Sequence, residues 1–240
     1  MTTARSEPLA PESPADRLPR FDRCERAVHW TTAAVVIVLM ATAAVLYIGQ
    51  LSTLVGRRQL VRQVHVVSGL VLPLPLLLGL VGRWRLGLAA DLGVLNRWNA
   101  GDRRWVWSRG RDPSVRVGKF NAGQKLNAAF MAGTGMVLLG TGSIMHWFSL
   151  FPLDWRTGAT FVHDWTAIAL ALAVVGHVRM ALGDTDALRS MVKGWVPARW
   201  AMKRRPRWYE EVTGQPADPG PTPRPRSAKA AGSGREQARR

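Results

Sequence analysis

The chain has 240 residues, 47% of them hydrophobic, one cysteine and a formal charge of +17. The single thiol, Cys24, excludes an internal disulfide, an iron–sulfur cluster held by four thiolates and a thioether-linked haem. The length suits one domain, but the apolar residues are gathered into runs instead of being spread along the chain.

Residues 1–19 are rich in Pro, Ala and Ser and read as a solvated tail. Charge-free stretches then follow at Ala27 to Gly56, Gln63 to Gly82, Leu126 to Leu153 and, with Asp164 as the one exception, Thr157 to Val178. Each reaches or approaches the roughly 20 residues that a hydrocarbon core demands. The predicted elements are four transmembrane helices, Val28 to Ile48, Val64 to Val81, Leu126 to Trp147 and Thr160 to Leu182, forming an all-α membrane bundle over residues 20–212. The first run follows a polar segment and leads to no small-residue cleavage site, so it reads as a span and not as a signal peptide. Residues 187–212 read as a cytoplasmic interfacial segment, with Trp195, Trp200 and Trp208 at headgroup depth. Residues 213–240 form a second, basic tail. Trp30, Trp84, Trp147, Trp155 and Trp165 fit an aromatic belt.

Lys and Arg alternate strongly from one side of the spans to the other, 29 against 4. The positive-inside rule then places both termini and the long loop between the second and third helices in the cytoplasm. The charge is therefore topological. Its partner is anionic lipid and not nucleic acid.

Five histidines can be placed on this map. His163 and His177 are 14 residues apart, which is about 21 Å of rise and within about 40° of one helical face. His29 opens the first helix on the cytoplasmic side, and His65 opens the second on the outer side. Two pairs result, His65 with His163 outside and His29 with His177 inside. A lone intramembrane histidine is more often an interhelical hydrogen bonder, but four that pair by depth suit two haem irons, each ligated axially by two neutral imidazoles. Zinc needs ligands converging on one point, which four residues split between two faces do not provide. Arg26, Arg62 and Arg179 lie near the ligands as donors for propionates, and Gly69, Ala167, Ala173 and Gly176 would let a flat macrocycle approach. His146 has no fifth partner and reads as interfacial. Gly118 to Lys125, a polar loop before the third helix, reads as a helix start capped by Asn121.

The motifs R-A-V-H-W at Arg26 to Trp30, R-Q-V-H-V-V-S-G at Arg62 to Gly69, and the two histidines of the fourth helix resemble bacterial dihaem four-helix cytochromes b. G-K-F-N-A-G-Q-K at Gly118 to Lys125 and the Met191 to Val212 segment narrow the resemblance to the cytochrome b, or gamma, subunit of respiratory formate dehydrogenase. That resemblance implies two haem b groups and a quinone pocket lined by Asn121, Gly123 and Gln124. It also implies catalytic and iron–sulfur electron-transfer partners, with formate oxidised in the catalytic subunit and not in this chain. The equivalent subunit of a hydrogenase or another respiratory oxidoreductase is the near alternative, and a haem-free scaffold or transporter the distant one. Two departures stand out. Arg205 precedes Pro206 where the family often has His, and Asp164 beside His163 would favour an oxidised, more positive iron.

Overall fold

The computed structural model describes residues 16–82 and 85–217. Trp84 and most of both expected tails lie outside the described residues. Four helices are long and apolar enough to cross a membrane: α1 (Arg23–Tyr47), the Arg58–Gly79 segment, α7 (Ala122–His146) and α8 (Leu153–Leu182). Their large apolar side chains point outward, as the 64%, 70% and 69% exposures of Ile37, Met136 and Leu172 illustrate. Apolar surface on that scale is stable against lipid and not against water. The chain is an integral membrane protein with a four-helix bundle.

The second span differs from the single helix expected. It comprises α3 (Arg58–Val71) and α4 (Leu74–Gly79), separated at Leu72 and Pro73. Pro73 and Pro75 lack the N–H that would bond one turn back, so the ladder breaks and restarts with Leu77 N–H donating to Pro73 O at 3.1 Å. α1 packs against α3 and against α4, α7 against α8, and α3 meets α7 to join the two hairpins. A short helix, α2 (Gly49–Val55), links α1 to α3.

A polar cap covers one end of the bundle. Two helices that the hydrophobic pattern missed, α5 (Arg85–Asn96) and α6 (Ala100–Trp107), precede α7. After α8 come α9 (Thr185–Lys193), a strand Trp195–Pro197, α10 (Ala198–Arg204) and α11 (Pro206–Thr213). That strand, β2, pairs antiparallel with β1 (Arg17–Pro19), Leu18 opposite Val196. Arg17–Pro19 and residues 213–217, expected in the tails, are thus part of the fold.

The segment expected at the interface packs on itself. Trp200 and Trp208, with Val196, Ala201, Tyr209 and Ala217, form a buried core. Burying an indole requires a partner for its N–H, and Trp200 Nε1 donates to Asp184 Oδ1 at 2.9 Å. Gly194 makes the turn between α9 and β2 with φ +89°, where a Cβ would come within 2.8 Å of Phe21 O. Its own carbonyl accepts from Arg20 N–H and Phe21 N–H at 2.8 and 3.2 Å. A side chain there would lose the junction between β1 and β2.

Candidate functional site

The fold brings the histidines together in the two pairs that depth predicts. The rings of His29 on α1 and His177 on α8 have centroids 6.2 Å apart at an interplanar angle of 60°. Those of His65 on α3 and His163 on α8 are 6.3 Å apart at 67°. A metal–imidazole bond is about 2 Å, and roughly 1 Å more separates the coordinating nitrogen from its ring centre, so two imidazoles sharing one metal have centroids about 6 Å apart. Both pairs have that spacing. His146 is exposed and packs edge-on against Trp147, in neither pair. Among the described residues, no group of three His, Cys, Asp or Glu side chains converges as a metal site, so histidine pairs are the arrangement present.

The surroundings fit a flat, largely apolar group. Space is open around Gly135 on α7 and Gly176 on α8, and Gly142 passes close to His163, where an added Cβ would lie 3.3 Å from Cε1. At the second pair, His65 Nδ1 is 2.8 Å from Thr42 Oγ1, and His163 Nδ1 is 3.0 Å from Thr141 Oγ1. Neither threonine was singled out in the sequence. The available signal was a hydroxyl residue inside a charge-free run, which alone does not reveal a neighbouring ring.

Two side chains at the capped end make contacts that the sequence did not show. Arg26, expected to reach a propionate, donates from Nη1 to Val192 O at 2.6 Å and from Nε to Asp22 O at 3.2 Å. Trp30 is a clasp and not only a belt residue, because its Nε1 donates to Met191 O at 2.8 Å. Arg62 and Arg179 are exposed.

The polar loop is a helix start with a full capping box. Asn121 Oδ1 accepts from Gln124 N–H at 2.8 Å, and Gln124 Oε1 accepts from Asn121 N–H at 3.1 Å. Arg205 Nη2 also donates to Gln124 Oε1, at 3.2 Å. Gly123 gives room to the Trp105 ring, which would lie 3.0 Å from an added Cβ. These bonds use the amide oxygens, leaving the NH2 groups of both side chains as donors. The pocket bordering Asn121, Gly118 and Trp105 is about 20 Å³, enough for a water molecule and too small for a ring.

Charged residues that the sequence reading treated as topological hold this end together. Lys119 Nζ lies 2.6 Å from Asp91 and 3.5 Å from Glu25. Lys125 donates to Asp102 at 2.8 Å and to Arg97 O at 2.7 Å. Arg20 and Arg205 both lie over the Trp200 ring, at 4.9 and 5.3 Å. Burial, then the repulsion of Arg205, pushes the Arg20 guanidinium down to about 9. Burial pushes Arg205 down to about 10, against the pull of Asp184. Both values leave the pair cationic at neutral pH.

The chain matches the family described as prokaryotic cytochrome b561 over residues 20–194. It is 28% identical to the formate dehydrogenase cytochrome b556(fdo) subunit of Escherichia coli K12 over 205 residues, covering 82% of this chain and 94% of that one. It is 27% identical to the formate dehydrogenase cytochrome b556 subunit of Haemophilus influenzae over 205 residues, 81% of this chain and 83% of the relative. A 99-residue stretch is 35% identical to the nitrate-inducible formate dehydrogenase cytochrome b556(Fdn) subunit of Escherichia coli K12, 40% of this chain and 46% of that one.

Proposed function

The chain belongs to the prokaryotic cytochrome b561 family, a membership that implies haem b, and from that premise we propose that it is the membrane-anchoring dihaem cytochrome b subunit of a formate dehydrogenase. In this reading it accepts electrons from catalytic and iron–sulfur partner subunits at the outer face of the bacterial plasma membrane and delivers them to quinone near the cytoplasmic face. The relatives named as formate dehydrogenase subunits favour a formate-oxidising partner over a hydrogenase. The charge asymmetry of 29 against 4 supports cytoplasmic termini.

The observation that carries the reading is the pair of histidine spacings, 6.2 and 6.3 Å, at opposite ends of one bundle. His65 with His163, and His29 with His177, would each hold one haem b. Haem iron there supplies reversible one-electron chemistry. The chain's contribution is to present two neutral imidazoles per site from facing helices and to exclude water with the apolar bundle. An electron moving across the membrane against its potential exchanges about 2.3 kcal/mol per 100 mV, so the separation of the two pairs makes the chain a route for charge transfer and not only an anchor.

For quinone, the reading rests on Asn121, Gly123 and Gln124 at the mouth of α7. The Asn121 and Gln124 oxygens serve the capping box, and their NH2 groups suit the carbonyl oxygens of a quinone ring. Gly123 lies between them, with the Trp105 ring packed against it.

The test is a haem count on the purified chain. Two haems per chain, extractable by acid acetone and showing a b-type reduced-minus-oxidised spectrum, are expected. A value near zero or near one overturns the paired-histidine reading.

A further inference from the structure

Thr42 and Thr141 sit on different hairpins and repeat one hydrogen-bonding device. Thr42 Oγ1 donates to Val38 O on its own helix at 2.7 Å, and Thr141 Oγ1 donates to Val137 O at 2.7 Å. Such a bond to the preceding turn is ordinary for threonine in a helix, and Thr31 and Thr134 make it too. A hydroxyl has one proton, so an oxygen that has already donated can only accept from a further partner. That partner is a histidine ring on the neighbouring helix. Thr42 on α1 meets His65 Nδ1 on α3 at 2.8 Å, and Thr141 on α7 meets His163 Nδ1 on α8 at 3.0 Å.

The direction of these bonds bears on the chemistry of the rings. With each hydroxyl proton on the carbonyl of its own helix, Nδ1 carries the ring proton in both, and a neutral imidazole protonated at Nδ1 has its free lone pair on Nε2. Both rings of the outer pair are thereby set as the same tautomer, each with only Nε2 available to a shared metal. Among the described residues no hydroxyl bonds the ring of His29 or His177, so the device belongs to one end of the bundle.

We propose that Thr42 and Thr141 are positioning residues of the outer haem site. Each holds its histidine as the Nδ1–H tautomer and aims Nε2 at the iron. By accepting the Nδ1–H, each also makes the imidazole a stronger donor, as partners beyond the ligands generally do. A stronger donor pair stabilises the oxidised iron and lowers the outer potential relative to the unassisted inner site, which favours electron flow from outer to inner. This inference rests on the dihaem reading above.

The test compares full-length wild type with Thr42→Val, Thr141→Val and the double variant, using Ser at the same positions as the rescue. Valine keeps the shape and suits the span, while removing the acceptor. The readouts are haem count, optical redox titration and the low-spin electron paramagnetic resonance signals. In the Val variants one of the two midpoint potentials should rise and one of the two low-spin signals should move, the other remaining as in wild type. Affinity for the outer haem should fall about 10- to 100-fold. Serine should restore all three. A double Val variant with two haems, unmoved potentials and unmoved signals overturns the proposal while leaving the dihaem reading intact. Loss of the outer haem in both Val and Ser variants marks a packing effect and also overturns it. A wild-type chain with fewer than two haems overturns the dihaem reading itself, and this proposal with it.

Discussion

Asn121→Asp separates the two roles assigned to the mouth of α7. Asn121 Oδ1 accepts from Gln124 N–H at 2.8 Å, a bond that a carboxylate accepts equally well, since Asp and Asn are equivalent N-caps. The added negative charge lies at a helix N-terminus and is worth about 0.3–1 kcal/mol in its favour. Stability should therefore stay level or rise slightly, whereas Asn121→Ala, which removes the cap, should cost about 1 kcal/mol. What aspartate cannot supply is the NH2 group. A quinone carbonyl held there would lose its donor and face a carboxylate, at a cost of about 1–3 kcal/mol, or about 5- to 150-fold in affinity. The assay is stopped-flow spectroscopy of the assembled complex in membranes, with formate as reductant and a soluble quinone analogue as oxidant. The b haems should be reduced by formate at the wild-type rate and reoxidised slowly, with a raised KM for the analogue, while the thermal melt is unchanged. Normal reoxidation in Asn121→Asp, and again in Gln124→Ala, would place the quinone elsewhere and leave Gly118 to Lys125 as a helix start alone.

His146→Ala should retain both haems, whereas His163→Ala should lose the outer haem and His177→Ala the inner one, each counted after acid-acetone extraction. Equal loss from His146→Ala would show that the outer ligand is misassigned. Gly142→Val should displace the His163 ring, whose Cε1 would already lie 3.3 Å from a first carbon at that position. Only one of the two low-spin resonance signals should change. Lys125→Met should strand the Asp102 carboxylate, with which Lys125 pairs at 2.8 Å while the side chains are only 4% and 9% exposed. Breaking a buried pair from one side costs about 3–5 kcal/mol, and a melting curve in detergent within about 1 kcal/mol of wild type would refute that estimate.

The spans were legible because an apolar run of that length has no other stable solvent. The histidine pairing was legible because chain direction and helical rise fix depth. The break in the second span was also written in the sequence, at Pro73 and Pro75, but a run of apolar residues reads the same through a kink. α5 and α6 were not legible by the same method. They are short helices whose faces bury charges such as Asp91 and Asp102, so hydrophobic periodicity understates them. The burial of Trp200 and Trp208 was not legible for a related reason. Tryptophan interleaved with Arg and Lys suits a lipid interface and a packed core equally, and the strand that decides between them, β1, comes from the opposite end of the chain. Thr42 shows the limit most clearly, because its partner is 23 residues away on another helix and only packing brings them together.

The net charge conceals a division of labour that bears on how the two histidine pairs are set. Arg20, Lys119, Lys125 and Arg205 count toward the positive side in any topological tally, yet each is buried or largely buried and bonded within the cap. The cap in turn grips α1 through Arg26 and Trp30, which donate to Val192 O and Met191 O on α9. Trp30 is adjacent to His29, and α9 continues the chain that carries His177. The cap therefore holds the end of the bundle that carries His29 and His177, by polar contacts that an apolar span cannot make for itself. The outer pair has no comparable cap in the described structure, and its rings are held instead from within the bundle by Thr42 and Thr141. Weakening the cap should thus disturb the inner site first, and removing the threonine hydroxyls should disturb only the outer one.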